Sequence, residues 1–404
     1  MEQKLPQFKK NYPAFRFMGG NLVSFFGDQI YLIAIPLIVL SITGSPLSMG
    51  IIVALQRIPV WVAPLTGIIA DRFNRRRLLL LCDLVRCILL GLIGALFIFG
   101  RLEMWLLYSV VLVIGAMGQI YQTGQFAAIP HLVRKDDLQA INSLSTGIFN
   151  LSVLIAPSVG GLIISLYNPG YALIINSVCF FLSFLAVSSI KLPFNGPKSK
   201  EVHSIAADLK EGFVFVLRTK EILYTNLALI VSVFGSTLFI TIMIFHLRDT
   251  IQLTAVEIGW LLSFGGLGAI GGAWLTNVIS KRVPFQKILF CAALLGGISI
   301  ILFSVSKAFI FLVISNALGT IAVSAVNPCI VTIRQTLTPQ HLLGRVQATS
   351  RFMTWILVPF SAFLAGVIAD FSGTHTTILI GGIISTFGSF IYLHPILKKT
   401  IKFQ

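Results

Sequence analysis

Acidic residues are scarce in this chain, with 14 Asp and Glu against 30 Lys and Arg in 404 residues, and charged residues make up only 11% of the whole. An ordinary soluble domain is about 25% charged, so a chain this poor in charge and 56% apolar is excluded from that class. Cysteine is sparse too. Cys82, Cys87, Cys179, Cys291 and Cys329 are odd in number, all fall in apolar runs and show no metal-ligand spacing, so neither a disulfide framework nor a metal centre is expected. No Gly-Lys-Ser/Thr phosphate-cradling loop occurs, which excludes an ATP-driven pump, and the six histidines are scattered over loops and span ends. With no nucleophile set beside a base, the chain is not read as an enzyme. No cofactor is expected.

What the sequence has in abundance is long apolar runs. A spanning helix needs about 20 apolar residues, and the chain supplies such runs at 15–41, 47–70, 78–100, 104–130, 138–165, 171–190, 221–246, 256–280, 286–305, 308–333, 346–369 and 376–397. The predicted fold is therefore an all-α polytopic membrane protein of twelve transmembrane helices. Met1 to Arg16 is polar and basic and runs directly into the first span, so that span is expected to be the targeting signal rather than a cleaved peptide.

The net charge of +16 would raise nucleic-acid binding in a soluble protein. Here its distribution argues for a membrane surface instead. On this map Lys and Arg gather on one side: the N-terminus, Arg72–Arg77, Arg134–Lys135, Lys191–Lys220, Lys281–Arg282, Arg334–Arg351 and the tail, while the opposite loops hold only Arg101, Arg248 and Lys307. By the positive-inside rule both termini are cytoplasmic. No nucleic-acid partner is expected.

The runs fall into two halves, 1–190 and 221–404, joined by a linker at 191–220. Pro193, Asn195, Gly196 and Pro197 mark a loop there, and Ile205, Leu209, Phe213, Val216 and Leu217 form a helical apolar stripe, read as an amphipathic helix on the membrane surface. Ser24-Phe25-Phe26-Gly27 recurs 208 residues later as Ser232-Val233-Phe234-Gly235, and Pro157 parallels Pro359 at an offset of 202. Two six-helix pseudo-repeats follow, able to rock about a midplane site.

Ionisable residues within spans are costly and therefore informative. Asp28 and Arg57 both lie roughly 15–20 Å deep by helical rise, in spans joined by a short turn. An Asp28–Arg57 pair is expected, either structural or with Asp28 as proton carrier. Asp83 and Arg86, three residues apart on one face, can satisfy each other or serve as a relay. Gln119, Gln122 and Gln125 recur along span 4, and Asn142 and Asn150 along span 5. Such amides are expected to face the bundle interior, as interhelical hydrogen bonds or as cavity wall, where Gln119, Gln122 and Asn150 would meet substrate. Phe25, Phe26 and Tyr31 would give that cavity an aromatic wall for an amphipathic ligand.

One segment is more specific than the rest. Gly67-Ile68-Ile69-Ala70-Asp71-Arg72-Phe73-Asn74-Arg75-Arg76-Arg77 resembles the loop between the second and third helices of major facilitator superfamily transporters. Ala156-Pro157-Ser158-Val159-Gly160-Gly161 resembles the Gly-Pro-x-x-Gly-Gly element of exporters in that superfamily, with Ala156 where Gly is usual. Together with Pro130-His131-Leu132-Val133, Leu138 to Asn142 and Leu343-Gly344-Arg345-Val346, the chain resembles bacterial macrolide-efflux-type drug:proton antiporters along nearly its whole length. The resemblance implies the fold of that superfamily, a bacterial cytoplasmic (inner) membrane location, a monomer, the proton gradient as energy source, and protons plus an amphipathic small molecule as partners within the lipid bilayer. It also implies a conformational gate. Asp71 would face the start of span 11, Gly67 would permit close approach, Arg72, Arg75 and Arg76 would anchor the loop, Asp83 and Arg86 would back it, and Pro157, Gly160 and Gly161 would form a pliable, leak-tight contact. Export of a siderophore or peptide, or flipping of a lysophospholipid, is the alternative on the same fold.

Overall fold

A backbone in lipid must satisfy its own polar groups, which leaves helices as the solution for apolar runs of this length. The structure, a computed structural model, describes residues 11–62, 73–133, 137–190, 205–280, 282–339 and 342–399, and these are overwhelmingly helical. In the first half the helices are α1 (Tyr12–Thr43), α2 (Pro46–Arg57, continuing as a 3₁₀ turn Ile58–Val62), α3 (Arg75–Ile98), α4 (Met104–Leu132), α5 (Leu138–Leu166) and α6 (Pro169–Ser188). The second half contains α7 (Ile205–Arg218), α8 (Lys220–Phe245), α9 (Ala255–Ile279), α10 (Phe285–Val305), α11 (Phe309–Leu337), α12 (Leu343–Trp355), α13 (Val358–Phe390) and the short α14 (Pro395–Lys399).

Ten helical stretches among the described residues are long and apolar enough to cross a membrane, and the shorter apolar stretch Pro46–Val62 stands between the first two of them. The last, Leu343–Leu393, is 51 residues long. At 1.5 Å per residue such a helix would far exceed a hydrocarbon core of about 30 Å, and it breaks at Gly373, whose φ of 84° is open to glycine. Two crossings there, plus α2, bring the count to the twelve expected.

Local chemistry sets the helix ends. Asn74 caps α3 by accepting from Arg76 N at 3.0 Å and Arg77 N at 3.3 Å, and Asn168 caps α6 ahead of Pro169. Thr254 and Glu257 form a reciprocal capping box at the start of α9. α1 ends at Gly44, in the left-handed conformation with its N–H on Leu40 O.

The chain divides into two compact units: Met1–Gly44, Leu55–Lys198 and Leu253–Ser263 in the first, Ser45–Ala54, Ser199–Gln252 and Phe264–Gln404 in the second. Within the first, α1 packs on α6 and α5, and α3 packs on α6 and α4. Within the second, α8 and α10 both pack on α13, and α10 packs on α11. The repeat read from Gly27 and Gly235 has a physical basis. A Cβ at Gly27 would run into the Asn176 side chain of α6, and a Cβ at Gly235 would meet the Gly381 carbonyl and Ser385 of α13. Each half thus brings its first helix hard against its last at a glycine. The amphipathic helix forms as α7, with Val216 buried, Phe213 and Leu217 exposed, and a Glu211–Arg345 ion pair to α12.

Candidate functional site

The first unit holds a buried charged cluster built from four helices. Asp83 and Arg86, one turn apart on α3, form an ion pair of 2.6 Å and are 0% and 3% exposed. Ser183 Oγ on α6 donates to the other Asp83 oxygen at 2.8 Å, and Arg86 Nε donates to the Cys82 carbonyl at 3.3 Å. The Arg86 guanidinium carbon lies over two aromatic rings, 4.4 Å from the Tyr121 centroid of α4 and 4.0 Å from the Phe180 centroid of α6, a desolvated cation–π arrangement. Tyr121 OH in turn donates to Asn21 Oδ1 on α1 at 3.0 Å. A lone charge at this depth would cost several kcal/mol. Pairing and these contacts offset that cost.

Asp28 stands differently. It lies half-buried at the middle of α1 and makes no ion pair or hydrogen bond among the described residues; the charge that acts on it is Arg86. The expected Asp28–Arg57 pair is therefore not formed. Arg57, at the end of α2, acts electrostatically on Tyr31 instead, and Tyr31 feels both Asp28 and Arg57. Among the described residues the buried Tyr31 hydroxyl has no hydrogen-bond partner, nor has either polar atom of Asn176, which packs against Gly27 beside Asp28. Asp28, Tyr31 and Asn176 form a polar patch whose bonding capacity the described residues leave unused.

Another face of α1 is apolar. Phe26 lines a cavity of about 320 Å³ with Leu22 and Val23 of α1 and Leu151, Ser152 and Ile155 of α5. Ser152 spends its hydroxyl on the Ile148 carbonyl, so nothing polar is offered there. Phe25 meets Phe149 of α5 edge to face at 5.4 Å. Along α4 Gln125 is buried, Gln119 half-buried and Gln122 exposed. Asn150 on α5 is half-buried.

Of the residues expected to gate, Gly67, Asp71 and Arg72 lie outside the described residues. Arg75 and Arg76 open α3, and Arg76 Nη2 donates to the Ser188 carbonyl at the end of α6, tying the two helix ends together. On α5, Gly161 lets the Ala255 carbonyl of α9 approach, a Cβ at Gly259 would come within 2.5 Å of the Pro157 carbonyl, and Gly160 faces Ile30 of α1. Ser158 Oγ donates to Ser263 Oγ at 2.7 Å, and Ser158 N reaches the same oxygen at 3.2 Å. In the second unit a Cβ at Gly50 would sit 2.6 Å from the Gly366 Cα, so α2 and α13 cross backbone to backbone.

Two participants had gone unnoticed in the sequence. Asn176 is the sole amide in the apolar α6, a signal of the same kind that marked Asp28. Arg334 had been placed in a basic loop, whereas α11 continues to Leu337 and buries it to 6% exposure. Its Nη2 donates to Asn226 Oδ1 at 2.7 Å and its Nη1 to Gln347 Oε1 at 3.4 Å.

Comparison with known proteins bears on the same points. Residues 11–402 match the family model described as "Transmembrane secretion effector". The multidrug efflux pump Tap of Mycolicibacterium fortuitum is 26% identical over 386 residues, covering 92% of each chain. The enterobactin exporter EntS of Escherichia coli O1:K1 / APEC is 26% identical over 343 residues, 83% of this chain and 80% of that one. Among solved structures, the nucleoside transporter NupG superposes with a TM-score of 0.81 at 11% identity, covering 94% of this chain and 99% of that one. A bacterial homologue of the iron transporter ferroportin, in an inward-facing state, gives 0.72 at 14% identity, covering 95% and 98%. These likenesses to structures carry the fold alone. With a family model matched over nearly its whole length, the chain belongs to the transmembrane secretion effector family of major facilitator superfamily membrane transporters.

Proposed function

We propose that this protein is a proton-coupled exporter of amphipathic small molecules, macrolide-like drugs or related natural products, in a bacterial cytoplasmic membrane. The observation that carries the coupling is Asp28, a carboxylate at the middle of a spanning helix without an ion-pair or hydrogen-bond partner among the described residues. A carboxylate retained there at several kcal/mol has a use if it takes up and releases a proton as the helices rearrange. The apolar cavity lined by Phe26 and Ile155 suits a greasy part of a substrate. The efflux activity named for the Tap relative supports the direction. The basic clusters support cytoplasmic termini, and a monomer is the working unit in this reading.

In inside-out vesicles, respiration-driven uptake of erythromycin or of a lipophilic cationic dye should collapse when a protonophore is added. Uptake that survives the protonophore would overturn proton coupling. The exporter of enterobactin among the relatives supports a second reading in which the cargo is a siderophore. Energised uptake of enterobactin with none of erythromycin or dye would favour it.

A further inference from the structure

Around Arg86 the first unit places two carboxylates and one guanidinium. Nη2 of Arg86 goes to Asp83 and Nε to the Cys82 carbonyl. Asp28 of α1 is the second carboxylate at this cluster: Gly27 beside it abuts Asn176 and Cys179 of α6, next to the Phe180 that covers the guanidinium. The guanidinium carbon also lies over the Tyr121 and Phe180 rings, 4.4 and 4.0 Å from their centroids. The other titratable groups facing the cluster are neutral hydroxyls and thiols: Tyr31 on α1, Cys82 on α3, Tyr121 on α4 and Cys179 on α6. Arg57 acts electrostatically on Tyr31.

We propose that Arg86 is a shared counter-ion, held in turn by Asp83 and by Asp28, so that the two carboxylates together carry one proton and Arg86 sits with whichever lacks it. The proposal rests on the proton-coupling reading and adds a second acid and a positioning residue to it. Two carboxylates in one low-dielectric site do not both stay ionised on a single cation. When Asp28 gives up its proton, the guanidinium turns to it, and Asp83, losing its cation, takes a proton. Charge in the cluster is conserved at each exchange. Depth gives the step a direction: Asp83 is eight residues into α3, about 12 Å from its start, and Asp28 is sixteen residues into α1, about 24 Å from its start. A proton received at Asp28 is thereby passed toward the end of the bundle where α1 and α3 begin.

The test needs no knowledge of the cargo. Infrared difference spectroscopy of the purified full-length protein in lipid nanodiscs follows the protonated-carboxyl C=O band, with the Asp28 contribution assigned by its loss in Asp28→Asn. In Asp83→Asn, Arg86 is released to Asp28, and the proton affinity of Asp28 should fall tenfold or more, about one pH unit of midpoint. The double variant Asp83→Asn with Arg86→Gln removes both charges together, guards against misfolding of the single variant, and should restore the Asp28 band. A midpoint for Asp28 that is the same in wild type, Asp83→Asn and the double variant would overturn the shared counter-ion. Should the band behave as expected while vesicle uptake ignores a protonophore, the exchange stands and the coupling reading falls.

Discussion

Each unit buries an arginine in membrane-spanning helices, and the two are treated differently. Arg86 in the first unit meets a carboxylate at 2.6 Å with a second carboxylate acting on it. Arg334 in the second unit is held by the neutral amides of Asn226 and Gln347, with Asn226 Nδ2 passing a hydrogen bond on to Ser350 at 3.1 Å. Among the described residues no carboxylate reaches it, and its Nε has no hydrogen-bond partner. Arg334 sits in the last turn of α11, where the negative end of the helix dipole favours a cation. A cluster without an acid has no proton to exchange. On the proposed proton coupling, the difference gives the proton work to the first unit and leaves Arg334 in the second as a fixed anchor.

The comparison can be broken most forcefully at the arginines themselves. Arg86→Ala strands Asp83 in the bundle, and breaking a buried pair costs about 3–5 kcal/mol; Arg334→Gln keeps a donor for Asn226 and should cost only about 1 kcal/mol. Thermal unfolding of the two purified variants in detergent reads this directly, and equal losses would erase the distinction. A smaller effect is expected at the glycines. Gly50→Leu meets the Gly366 backbone, and overpacking of this kind costs about 1–3 kcal/mol, whereas Gly271→Ala, with no atom within 4 Å of its added Cβ, should be neutral or stabilising by up to about 1 kcal/mol. The smallest contrast lies in two buried tyrosines. Tyr121→Phe loses the bond to Asn21, about 0.6 kcal/mol by the average for hydrogen bonds within membranes, while Tyr392→Phe removes a hydroxyl that has no hydrogen-bond partner among the described residues and should cost nothing measurable.

What the sequence displayed well was anything encoded along one helix. Apolar length marked the spans, the i,i+3 spacing of Asp83 and Arg86 was enough for their ion pair, and the stripe from Ile205 to Leu217 is the helix α7. What it hid was the partner arriving from another helix. Adjacency of spans 1 and 2 pointed to Arg57 for Asp28, yet the packing of α1 and α3 on a common α6 brings the charge of Arg86 to it instead. Asn176 escaped notice because one amide in an apolar run has no periodicity to reveal it. Arg334 was misplaced because an arginine at the end of an apolar run reads as a loop residue, and only the continuation of α11 past it, with Asn226 waiting on α8, shows it buried.

Asp28 is the residue on which the account turns. The most direct measurement compares wild type with Asp28→Asn for uphill dye uptake into inside-out vesicles and for dye exchange at equal concentration on both sides with no gradient. The account predicts that the variant keeps exchange, which needs only a folded protein that alternates, and loses accumulation. Full proton-driven accumulation by Asp28→Asn would contradict it.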